Sequence, residues 1–117
     1  MTTLKRGMII DANLDPTMGS ETGKTRPCVV VTNDIYNARA PVIQVVPLTS
    51  WSEKKASIVT NVEVRPTPEN GLDKLSLADC LQTRPVNYGS RLVGMRGRVS
   101  PDVLRQIDCA LKIVFSL

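Results

Sequence analysis

At 117 residues, 42% of them hydrophobic, the chain has enough material for one domain with a modest core, and no apolar run approaches the length of a membrane span. There is no histidine, and Cys28, Cys80 and Cys109 stand too far apart for a zinc knuckle or a CxxC redox pair, so no metal or other cofactor is expected. The net charge is +4, and residues from Arg84 onward carry six cations against Asp102 and Asp108, which on charge alone is an ordinary solvated basic surface. The opening Met1–Arg6 lacks the apolar segment of a signal peptide, and an odd set of free thiols agrees with a cytoplasmic location.

In chain order, most signals are those of strands. Met8–Ala12 reads as a short strand closed by the turn former Asp15-Pro16. Arg26–Thr32 is dense in valine and is expected to be buried on both faces, until Asn33-Asp34 breaks it. Val42–Leu48 is a third strand, and Pro47 marks it as an edge or as a strand end. Val62–Arg65 alternates, so one face should be wet. A turn over Pro66–Gly71 leads to Lys74–Ala78, with alternating apolar positions. Leu92–Val99 is a last strand, loosened by Gly94 and Gly97.

The period then changes. Ser100-Pro101-Asp102 is a helix start, with an N-cap oxygen, proline at the first position and an acid beside the dipole. Leu104, Ile107, Leu111 and Val114 follow at i, i+3, i+7 and i+10 as one apolar stripe, to cap the sheet or to meet a partner subunit. No repeat or linker interrupts the chain, so residues 1–117 are read as one domain.

Gly19-Ser20-Glu21-Thr22-Gly23-Lys24-Thr25-Arg26-Pro27 carries the most chemistry. Two glycines allow backbone N–H groups to approach an anion, and Arg26 adds a planar fork of donors at the lip of a strand. Such a loop is suited to phosphate, which makes a nucleotide or nucleic acid the leading ligand class.

These residues, together with Lys5-Arg6-Gly7, Asp15-Pro16-Thr17, Val29-Val30-Val31, Asn33-Asp34, Pro47-Leu48-Thr49-Ser50 and Ser100-Pro101, resemble the MazF/PemK toxins over nearly the whole chain. The resemblance implies an SH3-like, strongly bent antiparallel barrel with short helices and a C-terminal helix. It also implies a homodimer whose RNA groove is covered by the disordered acidic tail of an antitoxin. The implied activity is metal-independent cleavage of single-stranded RNA at short sequences, leaving 2′,3′-cyclic phosphate and 5′-hydroxyl ends.

By the same resemblance Arg26 and Thr49 are catalytic residues. Arg26 suits the negative charge of a phosphorane, and Thr49 can donate its hydroxyl to a phosphate oxygen. Glu21 either takes the 2′-OH proton or orients Arg26 through a salt bridge, and the orienting role is preferred. Ser20, Gly23 and Lys24 position phosphate, with Ser50 beside Thr49. Trp51 is placed to stack on a base or to sit under the antitoxin. Tyr36 reads as structural.

Asp79-Cys80-Leu81-Gln82-Thr83 departs from the family pattern, with Cys80 where glutamine is common and Gln82 where a basic residue is common. As positions that tend to face RNA, Cys80, Gln82 and Thr83 are candidate substrate contacts, although a buried thiol is the plainer reading of Cys80. Two alternatives stay open: a non-enzymatic toxin of the CcdB type that poisons gyrase, and a degenerate relative that binds RNA or antitoxin without cutting.

Overall fold

A computed structural model describes residues 3–117; Met1 and Thr2, part of the opening segment read above, lie outside the described residues. Seven strands form one antiparallel sheet: β1 (Met8–Asn13), β2 (Thr25–Val30), β3 (Val42–Ser50), β4 (Asn61–Val64), β5 (Ser76–Asp79), β6 (Arg84–Asn87) and β7 (Leu92–Arg98). Their order is β4-β5-β3-β2-β1-β7, with β6 beside the first half of β3. The sheet curls, so that the N–H of Arg98 on β7 donates to the Glu69 carbonyl beyond β4 at 2.9 Å. This is the bent antiparallel architecture that the family resemblance implies, and it agrees with the strand-rich pattern of the sequence.

The period of two along each strand divides the apolar residues between two cores. Ile9, Val29, Val46 and Leu48 face one, while Ile10, Cys28, Val30, Ile43 and Val45 face the other. Cys28, Val29 and Val30 are all buried, as the valine-dense run leads one to expect. On β4, Val62 and Val64 are buried while Glu63 is exposed. On β5 the alternation fails: Ser76, Leu77 and Ala78 are all buried, because the strand lies between β3 and β4 and is covered on both faces.

Pro47 is a correction. It lies inside β3, opposite Cys28 of β2, rather than on an edge or at an end. Along the other side of β3, pairing with β6 ends at Val45 and pairing with β5 begins at Leu48. A residue without an N–H is tolerated at this change of neighbours, where no ladder bond is required.

Among the described residues there are also four α-helices, α1 (Asp34–Asn37), α2 (Glu53–Ala56), α3 (Tyr88–Arg91) and α4 (Pro101–Phe115), and a 3-10 turn at Cys80–Gln82. Asn33 does more than break the preceding strand, since its side chain caps α1 by accepting from the N–H of Ile35. Tyr36, on α1, is largely exposed and belongs to neither core. The Ser100 hydroxyl accepts from the N–H of Val103 at 3.1 Å, and Pro101 opens α4 as its sequence predicts. Ile107 and Ala110 are buried against the first core, flanked by half-buried Leu104, Leu111 and Val114. Arg6 fixes the helix further: its Nε donates to the Val31 carbonyl at 3.0 Å while its terminal nitrogens pair with Asp108. Among the described residues no helix is long and apolar enough to cross a membrane.

Candidate active site

Strands β1 and β2 form a hairpin whose long loop is closed at its neck by the N–H of Leu14 donating to the Lys24 carbonyl at 2.9 Å. Gly23 lies in a crowded place: a Cβ there would meet the Asp15 carboxylate at 2.5 Å and the Thr17 hydroxyl at 2.6 Å, and those side chains would have to move. Lys24 has φ of 67°, a left-handed conformation unusual for a residue with a side chain. Arg84 donates to the Leu14 carbonyl at 2.9 Å, and Arg91 donates to those of Asn13 and Asp15. Two of the six cations at the C-terminal end, Arg84 and Arg91, are thus engaged in holding this loop and are not simply solvated charge.

Beyond the neck, Arg26 turns its Nε back to the Gly23 carbonyl at 2.7 Å. Its terminal nitrogens have no protein partner among the described residues. Arg26 lines a cavity of about 310 Å³ to which β2, β3, the segment before β5, and β7 all contribute. Lys24, Arg26, Lys74 and Arg96 supply four cations to its walls, with Asp73 the single acid, and Thr49 and Ser50 supply hydroxyls.

Arg96 is firmly set. Its Nε donates to Asp11 at 2.7 Å and its Nη1 to the Gly71 carbonyl at 3.0 Å. The hydrogen bond to Asp11 raises its already high proton affinity, so its charge is permanent. Thr49 accepts a hydrogen bond at Oγ1 from Nζ of Lys55 on α2, at 3.2 Å. A larger cavity, about 620 Å³, lies under the start of α4, walled by Val64, Val99 and Val103 with acids and arginines mixed on its rim. It gathers no comparable set of phosphate donors, so the smaller cavity is the one with chemistry.

The structure thus brings Lys24, Arg26, Thr49 and Ser50 together and adds Lys74, Arg96 and Lys55, which spacing in the sequence does not reveal. It leaves other candidates outside. Glu21 does not pair with Arg26; its carboxylate accepts from the Met18 N–H at 2.7 Å, and the Gly23 carbonyl orients Arg26 instead. Gln82 braces the loop, accepting from the N–H of Thr22 and donating to the Ser20 carbonyl, both at 3.2 Å. Thr83 donates to the Val45 carbonyl at 3.0 Å. Trp51 follows β3 with 40% of its surface exposed, outside the cavity wall.

Cys80 is a further correction, because it is wholly buried in the first core and cannot face a ligand. Burial, with Asp79 beside it, pushes its thiol up to about 12. Burial with Asp11 nearby does the same for Cys28. Cys109 lies exposed on α4. Labelling of native protein with a thiol reagent at pH 8 is therefore expected to modify Cys109 alone, and rapid labelling of all three would show an open core. Among the described residues no three His, Cys, Asp or Glu side chains gather as a metal site requires.

Fold and pocket together define a class: a small bent antiparallel β domain with a cationic cavity between its first hairpin loop and its third strand. The chain belongs to the PemK-like, MazF-like toxins of type II toxin–antitoxin systems, whose family model matches residues 5–115. It is 39% identical over 119 residues to endoribonuclease MazF9 of Mycobacterium tuberculosis, covering 97% of this chain and 98% of that one. It is 32% identical over 114 residues to endoribonuclease EndoA of Bacillus subtilis, covering 97% and 96%. In fold it resembles MazF of Deinococcus radiodurans, with a TM-score of 0.84, 21% identity and 100% of each chain covered. A MazE–MazF structure from the same organism matches with a TM-score of 0.76 and 22% identity, over 100% of this chain and 99% of that one.

Proposed function

We propose that this chain is a sequence-specific, metal-independent endoribonuclease, the toxin half of a toxin–antitoxin pair. The observation that carries the reading is Arg26, anchored through Nε with both terminal nitrogens unpaired, in one cavity with the Thr49 hydroxyl. A guanidinium in that state is preorganised for an anion and costs no reorganisation when charge develops.

In this reading the 2′-OH of the RNA attacks the adjacent phosphorus. Arg26 binds the two charged oxygens of the phosphorane, and Thr49 donates to one of them. Lys24, Lys74 and Arg96 hold phosphates on either side, while Ser50 and the loop N–H groups around Ser20 and Gly23 position the strand. Glu21 keeps the loop in shape. The 5′-oxygen departs, leaving a 2′,3′-cyclic phosphate. Water takes the 2′-OH proton as the new bond forms, and water protonates the departing 5′-oxygen to a 5′-hydroxyl, so neither transfer needs imidazole, which the chain lacks.

The toxin works as a single-domain homodimer in the cytoplasm, and an antitoxin silences it with an acidic disordered tail that competes with RNA for the same cations. The name MazE–MazF of the structure from D. radiodurans supports such pairing. A gyrase-poisoning role leaves the unpaired donors of Arg26 without a use.

The test incubates purified protein with a long single-stranded RNA in EDTA and maps the fragment ends. Discrete cuts at a common short sequence, unchanged by EDTA, are expected. RNA left intact, or cut only after a divalent ion is restored, would refute the proposal.

A further inference from the structure

Thr49 does not stand alone at the cavity wall. A threonine oxygen can accept two hydrogen bonds and donate one, and its hydrogen rotates to suit its neighbours. For that hydrogen to serve a phosphate, something must hold it away from the protein's own acceptors. Lys55 meets this need, because an ammonium group donates and never accepts. Its Nζ lies 3.2 Å from Thr49 Oγ1, the one polar partner of that oxygen among the described residues.

Lys55 itself is fixed at three points. The Ser52 hydroxyl caps α2 by accepting from the Lys55 N–H at 3.2 Å. Nδ2 of Asn61 donates to the Lys55 carbonyl at 3.0 Å. The third point is Thr49. Asn61 pairs across the sheet with Asp79, so β4 and β5 together support the short helix from beneath. Asp79 lies near enough for the Lys55 charge to act on its carboxyl, against the upward push of burial. The backbone of an otherwise exposed lysine is thereby set, and its ammonium reaches the end of β3 through its bond to Thr49.

We infer that Lys55 is a positioning residue: by donating to Thr49 Oγ1 it turns the threonine hydrogen into the cavity and makes Thr49 an obligate donor to the scissile phosphate. The inference rests on the ribonuclease reading above and adds a residue to it. A cation hydrogen-bonded to the hydroxyl oxygen also polarises the O–H bond, so the donor strengthens as negative charge grows on the phosphorus oxygens. The consequence is an effect on the chemical step, distinct from the general pull of a lysine on a polyanion.

A double-mutant cycle on RNA cleavage tests it, with Lys55→Met, Lys55→Arg and Thr49→Val made singly and Lys55→Met also made with Thr49→Val. Lys55→Met should lower kcat by about ten- to hundredfold with KM within about twofold. Lys55→Arg should recover most of the loss, and Lys55→Met should cost nothing further once Thr49 is valine. A Lys55→Met variant that raises KM with kcat intact would overturn the inference, as would losses that multiply in the double variant. So would a Thr49→Val enzyme as fast as wild type, leaving the ribonuclease reading standing. A wild-type protein that cuts no RNA would remove that reading and this role together. Because Lys55 is exposed and its backbone contacts survive substitution, unchanged thermal unfolding is expected in both single Lys55 variants and excludes misfolding as the cause.

Discussion

Arg26→Ala is expected to abolish RNA cleavage to within background, a loss of about 10³-fold or more in kcat, with the protein still folded. The stability change is expected to be about 1 kcal/mol or less, since the side chain makes one hydrogen bond, to the Gly23 carbonyl. Arg26→Lys separates charge from shape. It keeps the cation but loses both the fork and the Nε contact that aims it, so a large part of the defect should persist. Single-turnover cleavage of a defined RNA, beside thermal unfolding, measures both quantities. Activity within tenfold of wild type in Arg26→Ala would remove Arg26 from the chemistry.

Gly97→Ala is expected to be the most damaging small substitution outside the cavity. A Cβ on Gly97 would lie 2.0 Å from the Glu69 carbonyl oxygen and 3.0 Å from the Asn70 Cα, both backbone atoms that cannot step aside as a side chain would. That carbonyl also accepts the N–H of Arg98, the bond that draws the curled sheet together. Overpacking of this kind costs about 3 kcal/mol, which for a chain of this size lowers Tm by roughly 10 °C or more. Activity should fall as well. Gly71, two residues from the clash, gives its carbonyl to Arg96 in the cavity, and a shifted backbone would remove one of the bonds that set that guanidinium. Calorimetry together with cleavage at a temperature where the variant is folded distinguishes the two effects. A Gly97→Ala protein with an unchanged Tm would contradict the close approach of the two backbones.

Much of this molecule is legible in the linear chain where chemistry and local geometry coincide. Ser100-Pro101-Asp102 announces α4 because capping is local, and the observed N-cap bond follows directly. The Val29-Val30-Val31 run reveals a central strand because few other environments accept continuous β-branched residues. Pro47 misleads because its meaning depends on which strands flank β3 at that position, a property of topology and not of neighbours in sequence. Cys80 misleads similarly, since it lies at the start of a 3-10 turn under α4, and nothing in Asp79-Cys80-Leu81 shows which way that turn faces.

The candidate site divides along the same line. Arg26 and Thr49 can be picked out from their motifs, and the loop glycines from their spacing. Arg96 and Lys74 arrive from segments about 70 and 50 residues away from Arg26, brought in by the curl of the sheet, and no periodicity links them. Lys55 escapes notice because α2 is four residues long, polar and without an apolar stripe. Gln82 looks like a lost phosphate contact in sequence, yet its amide ties two points of the loop that carries Lys24 and Arg26. The substitution of an amide for a cation is thus matched to a bracing role.

The decisive measurement compares two RNA oligonucleotides that share the mapped cleavage sequence, one of them carrying a single 2′-deoxy nucleotide on the 5′ side of the scissile phosphate. The ribose substrate should yield a 2′,3′-cyclic phosphate and a 5′-hydroxyl, and the deoxy substrate should bind with similar affinity yet stay intact. Cleavage of the deoxy substrate at the same rate, or fragments ending in 3′-hydroxyl and 5′-phosphate, would show that the 2′-OH is not the nucleophile.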